Sequence, residues 1–88
     1  MGYFVYIIQS DLDHSYYKGF SENPQERIVY HNLGKSRYTA TKLPWHMVYI
    51  EEMDTKRDAL IREKSLKKYS HSQIISLIHS SKNILTKF

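Results

Sequence analysis

Cysteine is absent from the chain, which excludes disulfides and thiolate-held metals and agrees with a reducing compartment. The longest apolar run is Tyr3-Phe4-Val5-Tyr6-Ile7-Ile8. A membrane span needs about 20 such residues, so no span and no membrane partner are expected. No basic segment followed by an apolar stretch opens the sequence, so no secretory leader is expected either. There is no internal repeat, low-complexity tract or linker. These absences predict one cytoplasmic domain over residues 1–88.

Apolar residues make up 41% of the chain, too many for disorder. A domain of this size buries roughly 60–65% of the surface its unfolded chain exposes, so the core is small. The net charge is +4 and unevenly spread: residues 1–54 carry five Lys/Arg against seven Asp/Glu, and residues 55–88 eight against two. The basic half suits an anionic partner, or is simply a solvated helix face.

Aromatic and β-branched residues mark Tyr3 to Gln9 as a strand. Both of its faces are apolar, the pattern of a central strand covered on two sides. A polar turn over Ser10 to His14 leads to a return strand over Ser15 to Phe20. Asn23-Pro24-Gln25-Glu26 is a helix start with a cap, a first-turn proline and an acid three residues after the cap. That helix should run to about Asn32 and stop near Gly34. A basic connection, Lys35 to Pro44, precedes a third strand over Trp45 to Glu52. Thr55 to about Tyr69 reads as a second helix, and Ser70 to Ser80 as a short amphipathic third. The expected fold is α+β: a three-stranded antiparallel sheet flanked by helices, in the order β-β-α-β-α-α.

The second helix holds an oddity. With Ala59, Leu60 and Leu66 as its apolar stripe, Glu63 falls inside that stripe. A carboxylate there must be paired, metal-bound or at the rim of a cleft. A salt bridge to Arg62 or Lys67 would satisfy it as well as a metal would. In the first helix Arg27 and His31 are four apart and share one face. Tyr6 and Tyr17 are ordinary strand residues taken singly. They converge only if the hairpin pairs in an odd-sum register, such as Tyr6 or Ile8 opposite Tyr17, which sets both phenols on one sheet face. The first helix then covers that face with Arg27 and His31. Such a set suits phosphate chemistry: arginine holds phosphate oxygens, and one carboxylate with waters is a Mg²⁺ site.

On these residues the sequence resembles the GIY-YIG nuclease domain, especially its small single-domain bacterial members. "FVYIIQS" matches the first half of the signature, its tyrosine at Tyr6. "YYKGF" matches the second half, with Tyr17 and Gly19 on the named Tyr and Gly. "NPQERIVYHN" matches the helix that carries an arginine and a histidine, here Arg27 and His31, before Asn32. "GKSRYTATKLPWHMVYIEE" resembles the linker and third strand, and "RDALIREKSLKK" the helix with the metal-binding glutamate, here Glu63. The match covers about residues 3–69 in the family's order. Two positions depart: Phe4 stands where the first triplet has glycine, and Lys18 where an apolar residue is usual.

The resemblance implies a metal-dependent endonuclease that hydrolyses phosphodiester bonds in DNA. Tyr6, Tyr17, Arg27, His31 and Glu63 would be catalytic. Glu63 would hold Mg²⁺, with Mn²⁺ as an alternative. Tyr6 would activate the water, Arg27 would stabilise the phosphate, and His31 would orient a tyrosine or relay its proton. Lys35, Arg37, Tyr38 and Lys42 form a stretch without acids. It is a candidate for phosphate and base contact, or a solvated loop. RNA as the substrate and a partner protein that supplies specificity stay open. So do a nucleic-acid-binding module without catalysis and a protein-interaction domain.

Overall fold

The computed structural model describes residues 2–88. Its elements are β1 (Tyr3–Ser10), β2 (Tyr16–Ser21), α1 (Pro24–Asn32), β3 (Trp45–Met53), α2 (Lys56–Leu66) and α3 (His71–Ile78). Short 3-10 turns cover Thr39–Thr41 and Leu85–Lys87. The order β-β-α-β-α-α and the three-stranded antiparallel sheet agree with the sequence reading. The strands lie in the order β2-β1-β3, so the doubly apolar β1 is central. No described helix is long and apolar enough to cross a membrane.

Each helix starts as its sequence dictates. The Asn23 side chain accepts from Glu26 N, with Pro24 at the first helical position. The Thr55 hydroxyl accepts from Asp58 N, and Ser70 and Gln73 close a reciprocal capping box on α3. Past α1, Gly34 takes φ 76°. Gly34 N donates to His31 O at 3.0 Å and Lys35 N to Tyr30 O at 3.5 Å. This pairing is a Schellman motif, which needs a left-handed residue at that position and therefore favours glycine.

The two faces of β1 organise two cores. Val5 and Ile7 pack with Tyr49, and α2 and α3 cover them through Ala59, Leu66, Ile74 and Leu77. Tyr6 and Ile8 pack with Trp45 and Ile50, and α1 covers that side through Ile28. Lys18 pairs with Ile7 and so lies on the α2 side, away from Tyr17. It is half-buried, which lowers its amine pKa.

Two local readings change. Leu60 does not belong to the buried stripe: it is 45% exposed, while Ala59 and Leu66 are fully buried. The buried line runs from Ala59 through position 63 to Leu66, spacings of four and three, and Leu60 lies about 100° around the helix from Ala59. The second helix ends at Leu66, not Tyr69. Lys68 N and Tyr69 N bond back to Ser65 O and Leu66 O, tightening the chain before Ser70 caps α3. Within the Lys35–Pro44 connection, Thr39–Thr41 forms a 3-10 turn with Thr39 buried.

The outer edge of β3 is closed by the segment after α3. Asn83 Nδ2 donates to Val48 O and to Ile78 O, both at 2.9 Å. Its Oδ1 accepts from Ile50 N at 3.2 Å and Leu85 N at 3.0 Å. Ile84 N donates to Ile50 O at 2.9 Å. One side chain thus supplies β3 with part of a missing strand. Asn83→Ala should destabilise the protein by about 1–3 kcal/mol, since it strands part-buried backbone groups. In a thermal melt that is roughly 4–8 °C for each kcal/mol. An unchanged melting temperature would show that solvent replaces the amide without cost.

Candidate active site

The hairpin register is odd-sum: Tyr6 faces Gly19 and Ile8 faces Tyr17. Tyr6 and Tyr17 therefore share the face that α1 covers. The Tyr6 ring lies across Gly19. A Cβ on residue 19 would overlap Tyr6 Cζ and its hydroxyl oxygen, and would meet Cε2 at 2.9 Å. Glycine is required here by space, not by backbone conformation.

The Tyr6 hydroxyl hydrogen-bonds His31 Nε2 at 2.8 Å. His31 Nδ1 in turn hydrogen-bonds Thr39 Oγ1 at 2.8 Å. All three residues are buried, Tyr6 to 1% exposure and the others completely. Burial raises the Tyr6 phenol to about 12, with the adjacent Arg27 guanidinium pulling the other way. Burial lowers His31 to about 4, and the Arg27 charge adds to that effect. At neutral pH the pair is therefore an uncharged phenol and an uncharged imidazole.

Arg27 comes from the turn of α1 before His31. Its guanidinium lies 4.3 Å above the Tyr30 ring. Its Nε is buried and has no hydrogen-bond partner among the described residues. Arg27 also lines a cleft of about 240 Å³ with Ser21, Glu22, Asn23, Glu26 and Tyr30. A buried donor with no acceptor is costly, and an anionic oxygen would relieve it.

The Tyr17 ring sits among three others: His31 at 5.2 Å, Tyr38 at 5.8 Å and Trp45 at 6.4 Å between centroids. Tyr38 stacks on Tyr17 with 28° between planes and is 52% exposed. Lys42 lies over the Tyr38 ring at 5.2 Å and pairs with Asp13 at 3.1 Å. The Ser15 hydroxyl and N–H hold the Asp13 carboxyl far below the usual range, with Lys42 assisting. Of the four loop residues named from the sequence, Tyr38 and Lys42 thus join the Tyr17 side. The Lys42 charge is partly spent on Asp13. Lys35 and Arg37 are exposed and form no ion pair among the described residues.

Glu63 arrives from the other layer of the fold. Its side chain is 18% exposed and pairs with Lys67 at 3.5 Å. The neighbouring Arg62 is engaged elsewhere, with Glu51 at 3.1 Å. The Glu63 charge reaches Tyr6 as a minor contribution that raises its phenol. Among the described residues, no three His, Asp or Glu side chains are grouped to hold a metal. One carboxylate does not make a zinc-type cage. It does fit Mg²⁺, which keeps several waters and takes one or two protein carboxylates.

Sequence reasoning missed Thr39. It is the one fully buried residue of the Lys35–Pro44 connection. The Trp45 indole Nε1 donates to Thr39 O at 2.8 Å. Asn32 exchanges two bonds with the Trp45 backbone, at 2.9 and 2.7 Å. The bonds of Trp45 and Asn32, which flank the loop, fasten it and become visible only in the structure.

Comparison with known proteins identifies the family. The GIY-YIG catalytic domain model matches residues 2–75. A UPF0213 protein of Staphylococcus haemolyticus is 38% identical over 77 residues, covering 86% of this chain and 93% of that protein. A UPF0213 protein of Staphylococcus aureus strain N315 matches to the same extent. The solution structure of the UPF0213 protein BH0048 from Bacillus halodurans superimposes with a TM-score of 0.59 at 28% identity, covering 93% of this chain and 87% of that one. The chain belongs to the GIY-YIG catalytic domain family, a family of nucleases, and has the family's fold.

Proposed function

We propose that this chain is a metal-dependent endonuclease that hydrolyses phosphodiester bonds in DNA, acting as one catalytic unit. The observation that carries this reading is the buried Tyr6–His31 hydrogen bond beside Arg27, whose Nε has no hydrogen-bond partner among the described residues. A phenol in contact with an uncharged imidazole can pass its proton on. A guanidinium with a donor to spare can hold a phosphate.

Arg27 receives the scissile phosphate and stabilises the charge that develops on its oxygens. Water attacks phosphorus and gives its proton to the Tyr6 oxygen as Tyr6 gives its own to His31 Nε2. The new P–O bond forms as the bond to the leaving oxygen breaks. In the free protein this transfer is strongly uphill, since the phenol sits near 12 and the imidazole near 4. An anionic phosphate on Arg27 narrows that gap by offsetting the guanidinium charge that disfavours the imidazolium. Glu63 would hold the divalent cation, Mg²⁺ or Mn²⁺, whose chemistry is to polarise the phosphoryl oxygen and steady the leaving oxygen. Tyr17 places substrate against Tyr6. Tyr38 offers an exposed ring to a base, and Lys35, Arg37 and Lys42 supply positive charge to the backbone.

The test incubates the protein and Glu63→Gln with labelled linear, nicked and branched DNA in Mg²⁺, Mn²⁺ or EDTA. Metal-dependent cleavage that Glu63→Gln abolishes, with the fold retained, is expected. Full cleavage by a clean Glu63→Gln preparation would sink the metal assignment. Salt-sensitive binding without cleavage would favour a binding module. Cleavage of RNA alone would reassign the substrate.

A further inference from the structure

The imidazole between Tyr6 and Thr39 has two possible neutral tautomers, and only one suits a proton acceptor. We propose that Thr39 is a positioning residue: its hydroxyl accepts a hydrogen bond from His31 Nδ1–H and so leaves the Nε2 lone pair facing the Tyr6 hydroxyl. Its catalytic consequence rests on the nuclease reading above, whereas the tautomer itself does not.

The assignment follows from counting protons. Thr39 Oγ1 lies 3.4 Å from Ser36 O, in the back-bonding geometry of a threonine in a helical turn. A carbonyl only accepts, so Ser36 O, which also takes Ala40 N at 2.9 Å, can receive the hydroxyl proton when Nδ1 does not need it. The nearly buried Tyr6 O–H has only Nε2 as an acceptor among the described residues, so Nδ1 carries the imidazole proton and Thr39, at 2.8 Å, accepts it. His31 Nε2 is left as an acceptor, and the Tyr6 O–H donates to it at 2.8 Å. Every proton in the chain from Tyr6 through His31 and Thr39 to Ser36 finds an acceptor. In the reverse chain the Thr39 O–H donates to Nδ1 and His31 Nε2–H donates to the Tyr6 oxygen. The nearly buried Tyr6 O–H then has no acceptor among the described residues, whereas Ser36 O keeps Ala40 N at 2.9 Å in either arrangement.

The surroundings hold Thr39 to this task. Its carbonyl accepts from Trp45 Nε1 at 2.8 Å and from Lys42 N at 3.1 Å. The imidazole is enclosed by the rings of Tyr6, Tyr17 and Tyr30, with Arg27 as the charged neighbour. None of the three rings offers Nδ1 a competing hydrogen bond among the described residues.

Imidazole-labelled protein at neutral pH, read by long-range proton–nitrogen correlation, tests this without any substrate. The other four histidines are exposed and serve as internal references. His31 should show Nδ1 protonated and Nε2 bare. Thr39→Val strands Nδ1–H in one tautomer and the Tyr6 O–H in the other, so both forms should become populated, and Thr39→Ser should restore the wild-type pattern. In cleavage assays Thr39→Val should lower kcat about ten- to a hundredfold, as losing a group that orients a working histidine does elsewhere, with KM little changed and Thr39→Ser recovering the rate. A wild-type His31 protonated on Nε2, or a Thr39→Val protein whose tautomer pattern is identical to the wild type, would overturn the assignment. The Nδ1–H signature in a protein that cleaves no DNA would sink the nuclease reading and uphold the role of Thr39 on the imidazole.

Discussion

Tyr6→Phe is expected to slow DNA cleavage by about a hundred- to ten-thousandfold, the usual worth of a positioned proton-transfer group. The fold should survive. The change leaves the ring in place over Gly19 and removes only the hydroxyl that meets His31 Nε2. Stranding one buried imidazole nitrogen costs about 1–3 kcal/mol. The informative comparison is Tyr17→Phe. The Tyr17 ring is held by stacking against Tyr38 and edge contacts with His31 and Trp45, and its hydroxyl has no hydrogen-bond partner among the described residues. Its loss should therefore be smaller and fall more on KM. A deep loss of kcat in Tyr17→Phe beside a mild one in Tyr6→Phe would exchange the two roles.

Gly19→Ala should match Tyr6→Phe in lost cleavage and exceed it in lost stability. The added methyl would overlap Cζ and the hydroxyl oxygen of Tyr6, so the ring must move. Any movement that clears the methyl also shifts the oxygen from its 2.8 Å contact with Nε2. Overpacking of this kind costs about 1–3 kcal/mol, and the surrounding core gives little. The two substitutions should not add. Tyr6→Phe removes one of the overlapping atoms, so the stability cost of Gly19→Ala should shrink in the double variant. Chemical denaturation of the four proteins measures the coupling. A Gly19→Ala protein with wild-type stability and rate would mean that the ring has room to retreat without disturbing the relay.

Much of this was legible in the residues. The helix starts at Asn23, Thr55 and Ser70 follow from local chemistry, because a cap needs only the next turn to act on. The central position of β1 follows from its two apolar faces. The odd-sum register was a condition in the sequence and a fact in the structure. Other features depend on partners far along the chain. Glu63 stood out as a charge in an apolar stripe, but Leu60 was put in that stripe because leucine is apolar. Alanine and leucine at 59 and 66 define the buried line, and only packing against Val5 and Ile7 reveals it. Thr39 had no local signal, since its meaning comes from His31 eight residues before it and Trp45 six after it. Asn83 was silent for the same reason, with its β3 partners more than thirty residues away.

The bonds that Asn83 and Ile84 make to β3 also bear on how the protein keeps to itself. An uncovered edge strand is a template on which another chain can add and grow. At Val48 and Ile50 the outward carbonyls and the Ile50 N–H are already taken by the protein's own amide and backbone. A second molecule that tries to pair there must first evict a residue held by four hydrogen bonds. The same short segment that steadies the strand therefore works as a guard against sheet-to-sheet aggregation, and a chain with residues 83–88 removed would meet its neighbours with that edge bare.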